Sequence, residues 1–334
     1  MKLDIQSIKL LPLVLLPLSY VATSATEPAN SLQNYPEKAV SIVEPFGAGG
    51  GPDLLARALA PRLSKLWGQA VTVENITGSG ATAAPAHVVK SPADGYTLLI
   101  NTSAQAYSAA ALNNLPYDPL KDFIPVIPLT RQPYVLVTGK KSGVKTVIGL
   151  ILLAKVHGSE LKFGSTGIGT GTHIGAEKFT QAAAIKVPHL PPSPNDSVTD
   201  TLAKVIDGRI DYCLLPISLA LPAIHDGKLV ALGVTTKRRS TLLPEVPTID
   251  EAGIAGFDFS IWYGIWVRAG TPSAVVAKLE RDIRKVLEDQ NLRSWISEHG
   301  GELMNMTQTE FARFVLNESE SASQILKAAA IRPK

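Results

Sequence analysis

The chain has 334 residues, 45% of them hydrophobic, with 32 basic against 29 acidic residues and a single cysteine. So even a balance argues against a nucleic-acid surface, because no basic cluster exceeds Lys237-Arg238-Arg239, which reads as a solvated loop. The lone Cys213 excludes an intramolecular disulfide, leaving the core alone to hold the fold.

The first thirty residues read as a secretory signal peptide. Lys2 and Lys9 flank a weakly basic start, an apolar run fills residues 10–18, and small residues at 21–25 offer a cleavage point near Ala25. The run is shorter than the ~20 apolar residues of a membrane span. About 300 residues then remain, enough for two lobes of ordinary domain size.

From Tyr35 onward, strand and helix patterns alternate. Residues 39–44 (AVSIVE) predict a strand, 53–66 a helix, 71–74 a strand, 81–90 a helix and 97–101 a strand. The pattern restarts with strand 134–137, helix 147–156, strand 161–165 and helix 172–184. Helix 198–207 and strands 211–215 and 230–235 follow. Strand–helix alternation predicts an α/β chain with a mostly parallel sheet. The two series predict two lobes: residues 31–133 plus 256–334, and residues 134–255. The remainder is mainly helical, with Thr271 before Pro272 marking one start and Thr307 opening another helix to about Lys327. The aromatic run 257–266 reads as a buried strand returning to the first lobe. Its alternative places Trp262 or Tyr263 at the edge of a cleft.

The most informative segment joins the first strand to the first helix: Pro45-Phe46-Gly47-Ala48-Gly49-Gly50-Gly51-Pro52-Asp53. Glycines let the backbone approach a ligand, and a helix N-terminus favours an anion. A nucleotide loop needs a lysine after the glycines, and a dinucleotide fingerprint needs a glycine spacing absent here. An anion site, a cofactor site in an α/β enzyme and a plain tight turn all stay open at this point. A second segment of the same kind lies in the other lobe, Gly164-Ser165-Thr166-Gly167-Ile168-Gly169-Thr170-Gly171-Thr172-His173. Two such starts on two lobes suggest one ligand held in the cleft between them, and a third strand end, Asn101-Thr102-Ser103-Ala104-Gln105, offers hydroxyl and amide groups to the same crevice. His173 and Glu177, four apart on a helix, have no third metal ligand at matching spacing, and a helix-start hydrogen bond suits His173 better.

Many short motifs then occur in order: Tyr35-Pro36-Glu37-Lys38, the loop 45–53, Asp94-Gly95-Tyr96, Leu115-Pro116-Tyr117-Asp118-Pro119, Gly208-Arg209-Ile210-Asp211, Leu243-Pro244-Glu245-Val246-Pro247-Thr248 and Gly270-Thr271-Pro272. With these the chain resembles the Bug-type (TctC-like) substrate-binding proteins of tripartite tricarboxylate transporters, over nearly all of the mature length. The resemblance implies a two-lobed periplasmic-binding-protein (Venus flytrap) fold. It also implies a periplasmic receptor, not an enzyme, that delivers a small organic carboxylate to membrane subunits without a cofactor. A monomer is expected. Carried over residue by residue, it nominates Phe46, Gly47, Ala48, Gly50 and Asp53 on the first lobe and Ser165, Thr166, Gly167, Thr170 and His173 on the second. Asp53 is better read as ordering the loop than as touching ligand. Two departures stand out. Apolar Leu214-Leu215-Pro216 replaces the family's usual polar pair, making Leu215 a candidate wall of the site. The loop 190–196 also differs from the family pattern. A missing carboxylate at 214–215 argues against an amino-acid ligand.

Overall fold

Each predicted alternation becomes a strand followed by a helix in the computed structural model, which describes residues 34–78, 81–193 and 198–331. The expected signal peptide and residues 194–196 of the altered loop fall outside them. From Pro36 onward the described chain is a single unit by its internal contacts.

The first half runs β1 (Val40–Glu44), α1 (Gly51–Trp67), β2 (Val71–Asn75), α2 (Ala83–Lys90), β3 (Thr97–Thr102) and α3 (Ala104–Ala111). β1 pairs in parallel with both β2 and β3. A long strand β4 (Phe123–Gly139) then leads to α4 (Val147–His157), β5 (Phe163–Gly164), α5 (Gly171–Ala182) and β6 (His189–Leu190). α6 (Val198–Asp207), β7 (Tyr212–Pro216), α7 (Ile217–His225) and β8 (Leu229–Val234) complete the second half. β9 (Ser260–Arg268) returns, followed by α8 (Ser273–Leu287), α9 (Gln290–Glu298), β10 (Glu302–Leu303) and α10 (Gln308–Ala328).

The strands lie in the order β2-β1-β3-β9-β4-β7-β5-β6, with β8 and β10 also pairing β4. The sheet is mixed, not mostly parallel as the alternation suggested. Parallel pairing holds inside each half, whereas the pairings of β4 and β9 are all antiparallel. β4 changes partners midway: Phe123–Pro133 pairs with β9, and Tyr134–Gly139 pairs with β7 and β8. Only residues 134–137 of this 17-residue strand are legible in the sequence. Pro125, Pro128 and Pro133 hide the rest, and the register shifts beside Pro125 and Pro128 are how the ladder accommodates them.

Local chemistry explains the helix ends. Pro52 lies in the first turn of α1, after an extended Gly50, and Gly68 closes the helix at φ 66°. α10 opens with a reciprocal capping box between Thr307 and Glu310. α8 is capped by Pro272 rather than Thr271, whose hydroxyl donates instead to the Arg268 carbonyl at 2.7 Å. The second half is cored by Val135, Val137, Cys213, Leu215 and Ile217, all buried. In the first, Trp262 and Trp266 pack against Phe311 of α10. The aromatic run is thus the returning strand, beginning at Ser260.

Candidate functional site

The β1–α1 loop is held from behind by the protein's own carboxylates. Glu44, buried at the end of β1, accepts the N–H groups of Phe46 at 2.8 Å and Gly47 at 2.7 Å, and a contact from the Asn75 amide. Asp53 accepts the Gly49 N–H at 2.9 Å, the Arg57 guanidinium at 2.9 Å and the Asn75 amide at 2.8 Å. Burial pushes the Asp53 carboxyl up, but these donors outweigh it and hold it below the usual carboxylate range. Glu44, with burial dominant, is raised. Three loop N–H groups are therefore held by carboxylates, and a fourth, that of Gly50, donates to the Gly47 carbonyl at 3.2 Å. Ala48 and Gly51 both line the adjoining cavity, and Gly51 opens α1, where the first N–H groups have no intrahelical partner.

The second loop is built on hydroxyls. Thr172 Oγ1 accepts the Thr166 N–H at 2.9 Å and lies 3.0 Å from Thr166 Oγ1 and 2.8 Å from Thr170 Oγ1. The Thr170 hydroxyl donates to the Gly167 carbonyl at 2.7 Å. Beneath them Ser165 Oγ meets His189 Nε2 at 2.8 Å, and the Gly169 N–H donates to His173 Nδ1 at 3.3 Å. His173 is thus engaged in a helix-start hydrogen bond. Among the described residues no group of three His, Cys, Asp or Glu side chains is placed to hold a metal ion.

The two loops face one cavity of about 390 Å³. Its floor comes from the strands that join the halves. Tyr134 of β4 stands against Gly171, where an added Cβ would lie 1.9 Å from the phenolic oxygen. Tyr263 of β9 stands against Gly51 in the same way, at 2.5 Å. Burial raises both phenols above their ordinary value, so both remain protonated donors. The Gln132 amide donates to the Tyr263 oxygen, which leaves the phenolic proton for another acceptor. Apolar walls come from Phe46, Leu54, Pro216, Leu219 and Ile261. Among the described residues every polar side chain lining the cavity is a neutral hydroxyl: Thr102, Thr166, Thr170, Thr172, Thr199, Ser218, Tyr134 and Tyr263. This lining offers donors and helix dipoles to an anion, and no charged side chain.

Of the residues nominated from sequence, Phe46, Ala48, Gly50, Thr166 and Thr170 line this cavity. Gly47 and Asp53 sit behind the first loop, and Ser165, Gly167 and His173 brace the second. Ser103 is buried beside Gly171. Gln105 turns away, donating to the Pro119 carbonyl at 3.1 Å and accepting from Asn101 at 2.9 Å. Leu215 is not a cavity wall: it is fully buried, pairs with Val135 and belongs to the core, whereas Pro216 and Ser218 beyond it reach the cavity. Thr102, at the third strand end read from the sequence, lines the cavity too, whereas sequence reasoning missed Thr199, Ser218 and Leu219. The signal that could find them is shared: each lies at a strand end or within the first turns of the next helix.

The sequence profile described as "Tripartite tricarboxylate transporter family receptor" matches residues 55–331. The chain belongs to this receptor family. A Pseudomonas protein encoded in the tcbD–tcbE intergenic region is 33% identical over 276 residues, covering 82% of this chain and 81% of its own length. BugT of Bordetella pertussis is 29% identical over 313 residues, covering 92% and 94%. Among solved structures, Rpa4515 of R. palustris with adipate superposes with a TM-score of 0.83 at 30% identity, covering 90% of this chain and all of that one. MatC from Rhodopseudomonas palustris with bound malate gives 0.78 at 28% identity, covering 87% and 100%.

For a tripartite tricarboxylate transporter receptor the architecture falls into place as the two-lobed periplasmic-binding-protein fold, with one glycine-rich helix start on each side of the cavity. The cofactor reading of the first glycine loop is set aside, because the family is one of receptors and not of enzymes. Glu74, near the end of β2 where a dinucleotide site would need an acid, accepts the Ser41 hydroxyl at 2.7 Å across the strand pair. No helix among the described residues is long and apolar enough to cross a membrane.

Proposed function

We propose that the chain is a periplasmic receptor that captures a small organic carboxylate lacking an amino group. On this reading its lobes, residues 31–133 with 256–334 and residues 134–255, hold the ligand between them and present it to the transporter's membrane subunits. The observation that carries the reading is the cavity lining. Two helix starts, a threonine hydroxyl cluster and two neutral tyrosines supply donors from both sides, and among the described residues no carboxylate lines the cavity to pair an ammonium group. The relatives solved with adipate and with malate support the ligand class. The apolar walls from Leu54, Pro216 and Leu219 favour a ligand with an apolar body. The receptor acts as a monomer after cleavage near Ala25.

Isothermal titration of the purified mature protein against a panel of organic acids tests this. Micromolar binding of at least one carboxylate without an amino group is expected, with no response to aspartate or glutamate. Tight binding of either amino acid, with none to the other acids, would sink the ligand assignment. Native mass spectrometry of the protein as isolated would identify any retained ligand, and the same mass checks the cleavage site and the monomer.

A further inference from the structure

Successive side chains of a strand face opposite sides of a sheet, and β9 uses both. Ile261 and Tyr263 line the ligand cavity, whereas Ser260 and Trp262 line a second cavity on the other face of the β4–β9 pair. This rear cavity encloses about 750 Å³. Its floor is aromatic: Tyr107, Phe259 and Trp262 are buried there, and Phe314 packs on Trp262 with ring centroids 5.1 Å apart. The one carboxylate at the floor, Glu318, is already engaged. It accepts the Tyr107 hydroxyl at 2.7 Å and Trp262 Nε1 at 2.9 Å.

The rim is basic and exposed. Arg131 and Arg238 share the single Glu302 carboxylate at 3.3 and 3.2 Å, and Arg239 pairs with Glu251 at 2.7 Å. Lys237 stands beside them, and Lys178 donates to the Asp258 main-chain carbonyl at 2.6 Å. Five cations thus line the cavity against the carboxylates of Asp258, Glu302 and Glu318. Gln132 pairs with Ile261 and holds Tyr263 on the front face, whereas Arg131, paired with Trp262, faces the rear cavity.

We propose that the rear cavity is a second ligand site, taking an aromatic organic anion. The anionic group lies at the Arg131–Lys237–Arg238 rim and the ring against Phe259 and Phe314.

Isothermal titration of the mature protein with 6-hydroxynaphthalene-2-sulfonate tests the site. Saturable 1:1 binding is expected. The rim variant Lys237→Glu/Arg238→Glu should weaken it at least about tenfold, roughly 1.4 kcal/mol. Leu219→Arg, which blocks the front cavity wall, should leave it unchanged, and thermal unfolding of each variant establishes that it is folded. Absent or non-saturable binding overturns the proposal. So does equal binding by the rim variant, or a loss confined to Leu219→Arg, which would put the probe in the front cavity. Failure here leaves the carboxylate receptor reading intact, since that rests on organic acids in the front cavity, whose binding Leu219→Arg should abolish.

Discussion

Gly51 and Gly171 show how tightly single residues set the ligand cavity. Each opens a helix, and each has a tyrosine hydroxyl where a methyl group would stand. Gly51→Ala should therefore push Tyr263 out of position and weaken carboxylate binding by about tenfold or more. Tyr263→Phe alone should also weaken it, by the loss of one donor worth about 1 kcal/mol. The double variant should bind no worse than Gly51→Ala, because removing the hydroxyl makes room for the new methyl; residues in contact are not additive. Titration calorimetry on the three variants measures this, and strict additivity would mean that the two residues do not meet. The glycines and threonines of the two loops were legible in the sequence because each loop lies in a continuous strand–loop–helix segment. Tyr263 was legible only as the alternative reading of the aromatic run and Tyr134 not at all, since they arrive from β9 and β4, far along the chain from the glycines they face. Leu215 was misjudged for a local reason: it adjoins the cavity in sequence, but its side chain points into the core while Pro216 and Ser218 reach the opening.

Helices carry the next level of the argument, and α5 carries an acid that its own packing opposes. Glu177 is 8% exposed, and burial pushes its carboxyl up from 4.5 to about 7. Between those two values the folded protein binds more protons than the unfolded chain, so this group's contribution falls as pH rises and is fully unfavourable above pH 7. Glu177→Gln removes the penalty. It should raise stability at pH 8, by up to about 3 kcal/mol, and leave it little changed at pH 4. Urea unfolding at the two pH values checks the sign, and a larger gain at the acid end would refute it. α10 gives a prediction of opposite direction. Thr307→Ala removes the side-chain acceptor for the Glu310 N–H and the first half of the capping box, which should destabilise the protein by about 1 kcal/mol at any pH where Glu310 is ionised. Elements with clear caps or stripes, such as α1, α8 and α10, were readable in advance. α7 was not, because Pro222 interrupts an almost wholly apolar stretch that has no helical period to read.

At the scale of the molecule, β4 and β9 matter most, because donors from both halves meet on the cavity that they floor. β4 passes from one set of partners to the other between Pro133 and Tyr134, next to the tyrosine that braces α5. A ligand touching the Ala48–Gly51 and Thr166–Thr172 loops together gains most when the loops approach, so it should favour a closed arrangement by its differential affinity for that state. Fluorescent labels on the exposed Lys65 of α1 and Lys155 of α4, each replaced by cysteine, would report that approach. The native Cys213 does not interfere, since it is fully buried and burial raises its thiol well above the ordinary range. Saturating carboxylate should raise the transfer efficiency between the labels, and the same label pair with Gly51→Ala should need a proportionally higher concentration for the same change. An efficiency that stays constant while calorimetry records binding would show that the ligand is held without closure, and the receptor would then have to be read by its transporter through some feature other than lobe position.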